Sequence, residues 1–379
     1  MHLSENFVED FCFWMFEKCN YICDANNDNY NLMKCFTKVF IATCCMLLVC
    51  SCFPKQVGGS DTPVETINWS SFKNAPFDQS ILSRFKAIDT VILDKEGPGN
   101  ASVSSVDKVL LSNNSFYVLD AMRRIVSEYD YTGKAIRTIG QQGRGPEEYT
   151  RISDFSISPN SGIWILDGST DYLFHYANSG EYLEKSAISV ESSALHALEN
   201  GDFLMGVSLW DDSTYKDSYV ILCDKSQNIT SSMAPNKHTI DANFTFPSTG
   251  FCETGEGFSY LVPLEDIVYV FDKEGRNVKN YFFDFSPATI PDEARANVEN
   301  HMEAINNSTF LIISTYIDSS SIIGNVREKG DFGSFIIDRH SGSRYMTGQE
   351  LGYFFGVSNG RAIFVKDTPE GFTLYFLDI

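Results

Sequence analysis

The segment Gly140-Gln-Gln-Gly-Arg-Gly-Pro-Glu-Glu-Tyr149 holds three glycines, a proline, a cation and two carboxylates in ten residues. Glycine lets a ligand approach the backbone, and a guanidinium can clamp a carboxylate or phosphate. Arg144, Glu147, Glu148 and Tyr149 are therefore candidate ligand contacts. The simpler alternative is that Arg144 pairs with a glutamate and the loop is a packing clasp, since Gly-rich loops often serve packing. A phosphate-cradling P-loop is excluded, because no Lys-Ser/Thr follows the glycines and no helix pattern opens after them. The other candidate contact is Trp210, which precedes Asp211-Asp-Ser and could stack on a sugar from an exposed loop.

Other chemistries find little support. His175, His196, His238, His301 and His340 show neither the i, i+4 spacing of a zinc helix nor a pairing with Cys223 or Cys252. No metal ligand is nominated. Asp and Asn are abundant enough to serve calcium, the one ion in view, but no Asp-x-Asp-x-Asp-Gly loop is present. Gly206-Val-Ser-Leu-Trp210 fails as a nucleophile elbow, for its last residue is not glycine and it lies in a strand pattern. No catalytic residue is nominated, and no cofactor is expected.

The chain has 50 acidic against 29 basic residues, a net charge of −21. That excludes a nucleic-acid partner, because no cationic surplus exists to release counterions. Eight of its ten cysteines fall within residues 1–52, which no disulfide framework would require. Cys223, ending an apolar run, reads as a core thiol; a bond to Cys252 is open.

Met33 begins a different kind of segment. Lys34 and Lys38 precede the eleven mostly apolar residues 39–49. Such a run falls short of the ~20 residues of a membrane-spanning helix but suits a secretory signal. It ends Val49-Cys50-Ser51-Cys52, which resembles a bacterial lipobox and makes Cys52 the lipidated first residue of the mature protein. Residues 1–32 then read as an extension outside the true start, and 33–52 as a lipoprotein signal peptide. Removing residues 1–52 takes six acids and three bases and leaves a charge of −18. Residues 53–80, rich in Gly, Ser, Thr, Pro and Asn, suit a tether.

The elements that position these side chains are strands. Phe116–Asp120, Ile163–Asp167 and Ile267–Phe271 are short β-branched and aromatic runs ending at turn formers. Polar turns begin at Asp130, Ala177, Asp224, Asp272 and Asp338, at spacings of 47, 47, 48 and 66 residues, and a last strand ends 40 residues on at Asp378. A period near 47 with several strands per unit is the signature of a β-propeller. Five turns and the end of a last strand mark six repeats, hence six blades. The long spacing holds a short inserted helix at 290–302, with an early proline and acids in its first turn. The last repeat lacks a fourth strand, which Ile88–Asp94 can supply, closing the ring. The fold expected over 81–379 is all-β: a six-bladed propeller closed by N- and C-terminal strands.

Residues 116–167, and above all Ile139–Tyr149 followed by Ile152-Ser-Asp-Phe-Ser-Ile-Ser158, resemble the six-bladed β-propeller lipoproteins of Bacteroidetes, themselves similar to NHL-repeat propellers. The resemblance implies an envelope lipoprotein, held to the outer membrane and facing the periplasm or the surface, without an established chemistry. The function expected is non-catalytic binding or scaffolding of a protein, glycan or peptide partner. The rival is a channel-site hydrolase or lyase, with calcium in the manner of gluconolactonase-like propellers, which requires at least three acidic or amide side chains pointing inward.

Overall fold

A computed structural model describes residues 55–56, 62–93 and 103–379, apart from 78, 84, 86, 87, 159, 245, 247 and 349. The extension, the signal peptide and Cys52 lie outside the described residues. Six sheets follow one another in chain order. Each blade has four antiparallel strands, and the first blade sets the plan with Lys108–Leu111, Ser115–Asp120, Ile125–Asp130 and Ala135–Ile139. Blades 2 to 5 occupy residues 154–187, 192–235, 251–284 and 309–346.

Blade 6 is completed from the other end of the chain. Its strands Tyr353–Ser358, Arg361–Thr368 and Gly371–Asp378 are joined by Ile88–Ile92, antiparallel to the last of them with Leu374 opposite Val91. The closure expected from the incomplete last repeat is the one observed. It pairs two strand edges that would otherwise be exposed.

The core divides into six clusters, one between each pair of neighbouring blades. In the second strand of blade 1, Phe116 and Val118 pack towards blade 6, while Tyr117 and Leu119 pack towards blade 2. Both faces of such a strand are buried, so the sequence shows a continuous apolar run rather than alternation. The turns behave as their residues predict. Asp130, Asp224 and Asp272 each accept a backbone N–H two residues on, and Gly133, Gly180 and Gly275 take φ of 88°, 84° and 80°.

The structure adds detail to two expectations. The tether expected at 53–80 is a strap over much of its length. Lys55–Gln56, Val64–Asn68 and Lys73–Ala75 add parallel fifth strands to blades 3, 4 and 5. Between the last two, the buried Trp69 ring meets Phe285 and Phe335 edge-on at 5.5 and 5.0 Å, under the Arg344 guanidinium at 4.1 Å. A polar composition concealed the strap, because backbone pairing and one large aromatic hold it. The insertion is helical where Pro291 and its acids start it, but in two pieces, Asp292–Ala296 and Met302–Asn306, with a 3₁₀ turn at Glu299–His301. The break falls at Asn297, whose φ of −150° and ψ of 75° are not helical.

Cys223 and Cys252 are both buried free thiols. Cys223 lies 3.7 Å from the Met205 sulfur, and Cys252 accepts the Val357 N–H, so each has its own packing role. Burial pushes the Cys223 thiol up to about 12 and the Cys252 thiol to about 11.

Candidate binding pocket on the linker face

The blade-to-blade linkers and the hairpins between second and third strands share one face of the disc. Aspartates at these hairpins secure it. Asp120 accepts the Ser104 N–H, Asp167 that of Thr150, and Asp211 that of Glu191. Each carboxylate thus ties a hairpin to the linker that enters its blade.

On this face blades 1 to 4 enclose a cavity of about 570 Å³. Its lining comes from the 121–124 hairpin, the 151–153 linker, the inner strand Ser192–Ala197, the 207–210 turn, the 244–250 linker and the 260–264 hairpin. A wall stands on one side. There the 236–250 linker packs on the helical insertion: Asp241 donates its N–H to the Arg295 carbonyl, the Asp241 carboxylate accepts the Val298 N–H, and buried Arg295 pairs with buried Asp266. Phe246 packs between Phe244, to which it is tilted, and Phe310, which it meets edge-on.

Trp210 lines this pocket and is 52% exposed. Its turn is tied at both ends: Asp211 donates its N–H to the Ser208 carbonyl, and its buried carboxylate accepts from Glu191 and Ser213. The indole is therefore presented by a fixed backbone. The glycine of Gly206-Val-Ser-Leu-Trp210 has a packing role, because a Cβ there would lie 2.4 Å from the Tyr260 hydroxyl.

The remaining lining is polar without being acid–base. Arg124 and Arg151 are exposed and make no ion pair among the described residues. Ser192 is 3% exposed, and its hydroxyl has no hydrogen-bond partner among the described residues. Among the described residues neither Asp, Glu, His nor Cys lines the pocket. Burial pushes both lining phenols up, Tyr260 to about 12, and Glu265 adds to the rise at Tyr219.

The other sequence candidates sit apart from this pocket, in a loop closed on itself. Tyr149 is fully buried, edge-on to Phe174, and so belongs to the core between blades 1 and 2. Glu148 folds back to accept the Gly145 N–H at 2.7 Å and the Gln141 amide at 2.9 Å. A Cβ on Gly143 would lie 1.8 Å from that carboxylate, so the glycine makes room for Glu148 rather than for a ligand. Arg144 and Glu147 are exposed, and Arg144 has no glutamate partner among the described residues. The loop is a clasp, as its simpler reading had it, though without the expected arginine pair. Of the five ligand candidates, only Trp210 lines the cavity.

The channel is occupied by structural bonds. Lys108 and Asp154, from the inner strands of blades 1 and 2, pair at 2.7 Å, and Asp154 also accepts the Leu195 N–H of blade 3. The six inner strands carry two acidic residues, Asp154 and Glu253, and no amide side chain. Glu253 accepts the Gly360 N–H. His196 lies against Phe258 at 3.9 Å, and burial, reinforced by Lys108, lowers its pKa to about 3. Among the described residues no three His, Cys, Asp or Glu side chains are grouped to hold a metal.

Sequence reading missed Arg124, Arg151 and Ser192. A signal existed for the first. The residue before the third strand takes a left-handed φ in blades 1, 2 and 4, and is Arg124 at 57°, Asp171 at 54° and Asp266 at 56°. Aspartate tolerates that conformation better than arginine does, so the arginine is the departure. For Ser192 no local signal exists.

These sheets and their closure define a six-bladed β-propeller with a pocket on its linker face. Residues 100–375 match the profile of DUF4934, a domain of unknown function, and the chain belongs to that family. A crystal structure of a candidate exported protein from Bacteroides fragilis is similar at 16% identity and a TM-score of 0.66, covering 83% of this chain and 99% of its own. A DUF4221 member from Bacteroides vulgatus gives 10% and 0.45, over 78% and 96%. Virginiamycin B lyase from Staphylococcus aureus gives 10% and 0.43, over 77% and 99%. At these identities the likeness is one of fold. No curated protein matches the sequence.

Proposed function

We propose that this protein is an envelope binding module that takes its ligand in the linker-face pocket and leaves it chemically unchanged. The lining carries the proposal: an exposed indole, two guanidiniums without an ion pair and a buried hydroxyl without a partner among the described residues, with no carboxylate, imidazole or thiol among the described lining residues. Glycoside hydrolysis needs two carboxylates flanking the bond, and acid–base chemistry needs a group that titrates near the working pH. The pocket offers arginines and protonated tyrosines instead. The channel rival asks for three inward acids or amides, and the inner strands carry two, both bonded to blades.

The address rests on the signal-like residues 33–52 and the lipobox before Cys52. Capture from envelope saccharides and peptides by the purified protein tests the binding claim. The captured species should be recovered intact, and Trp210→Ala should abolish capture; turnover, or capture that survives Trp210→Ala, contradicts it. Cys52→Ala should move the protein from the membrane to the soluble fraction, and unchanged fractionation would refute the lipid anchor.

A further inference from the structure

The lining also bears on what kind of ligand enters, an inference that rests on the binding reading above. The chain as a whole is strongly acidic, at −21, yet among the described residues the charged side chains lining the pocket are Arg124 and Arg151. The hairpin carboxylates Asp120, Asp167 and Asp211 are buried and turned to backbone N–H groups. An unpaired guanidinium offers its fork of donors to a carboxylate, the best geometric match.

Beside the cations stand aromatic faces. Trp210 is half exposed on its clamped turn, and Phe244 and Phe246 line the same cavity. A flat indole in a polar surround suits the apolar face of a sugar ring, whose hydroxyls then remain free to hydrogen-bond. Ser192 is among the lining residues, and its hydroxyl is almost fully buried and lacks a partner among the described residues. A buried polar atom left unpaired is costly, and a ligand hydroxyl would satisfy it. At about 570 Å³ the cavity has the size of a small-ligand site.

We infer that the pocket recognises a saccharide bearing ring carboxylates, a uronic acid, with Trp210 under the ring, Arg124 and Arg151 on the carboxylates and Ser192 on a hydroxyl. An acidic peptide would satisfy the arginines but has no flat face of stacked C–H groups for Trp210 and no hydroxyl-rich edge for Ser192.

Calorimetric titration of the purified protein with tetragalacturonate, its methyl ester and a Glu-rich peptide tests this. The acid form should bind, weaken at high salt, and bind at least about tenfold more tightly than the ester. Arg124→Gln with Arg151→Gln should bring the acid down to the level of the ester, whereas Trp210→Ala should weaken both. Equal affinity for acid and ester would overturn the acidic class while leaving the pocket as a binding site. Binding of the peptide alone would overturn the saccharide. Binding of none of the three also overturns the inference, and capture by the wild type that Trp210→Ala abolishes would still uphold the binding reading.

Discussion

The 140–149 loop and the linker-face pocket lie on the same side of the disc and carry similar chemistry, yet they use it in opposite ways. In the loop, Glu148 is folded onto its own glycines and accepts from Gly145 and Gln141. Tyr149 is sunk in the core beneath it. In the pocket, Trp210 is held out by a turn, and the Ser192 hydroxyl is buried without a partner among the described residues. A motif dense enough to stand out in a sequence is dense enough to satisfy itself. A pocket assembled from many separate segments has donors left over, because no one segment contains their partners.

Substitutions can break this comparison, beginning with the largest effect. Tyr149→Ala empties a fully buried aromatic site and should cost about 3–5 kcal/mol in urea unfolding. A cost near zero would return Tyr149 to the list of ligand contacts. Gly143→Ala forces the Glu148 carboxylate out of its seat, and the loss of its hydrogen bonds should cost about 1–3 kcal/mol without affecting capture. If capture fails while stability holds, the loop is a site after all.

The inner strand under the pocket gives a pH test. The His196 pKa is lowered to about 3, so the unfolded chain, near 6.5, binds its proton first as the pH falls. Stability should therefore decline as pH drops from about 6.5 towards 3, and His196→Gln should flatten part of that slope. An unchanged slope would show that His196 is solvated. The smallest effects on stability belong to the pocket and to the exposed arginine of the loop. Trp210→Ala and Arg144→Ala should each shift unfolding by no more than about 0.5 kcal/mol, although only the first should impair capture.

The same contrast explains what could be read from the chain. Turn chemistry is local, so Asp130, Asp224 and Asp272 announced their hairpins and, through their spacing, the number of blades. The incomplete last repeat announced the closing strand at Ile88–Ile92. The strap was hidden because the partners of Trp69 lie more than 200 residues away, at Phe285, Phe335 and Arg344. Trp210 was legible as a tryptophan in a polar turn. Ser192 was not, for a serine in a strand declares nothing until the neighbouring blades fail to bond it.

The most direct test compares capture by three proteins: wild type, Trp210→Ala and Arg144→Ala, all confirmed as folded. If the pocket is the site, Arg144→Ala should capture as the wild type does and Trp210→Ala should not. The reverse result, with Arg144→Ala defective and Trp210→Ala intact, would move the binding site to the loop and contradict the account.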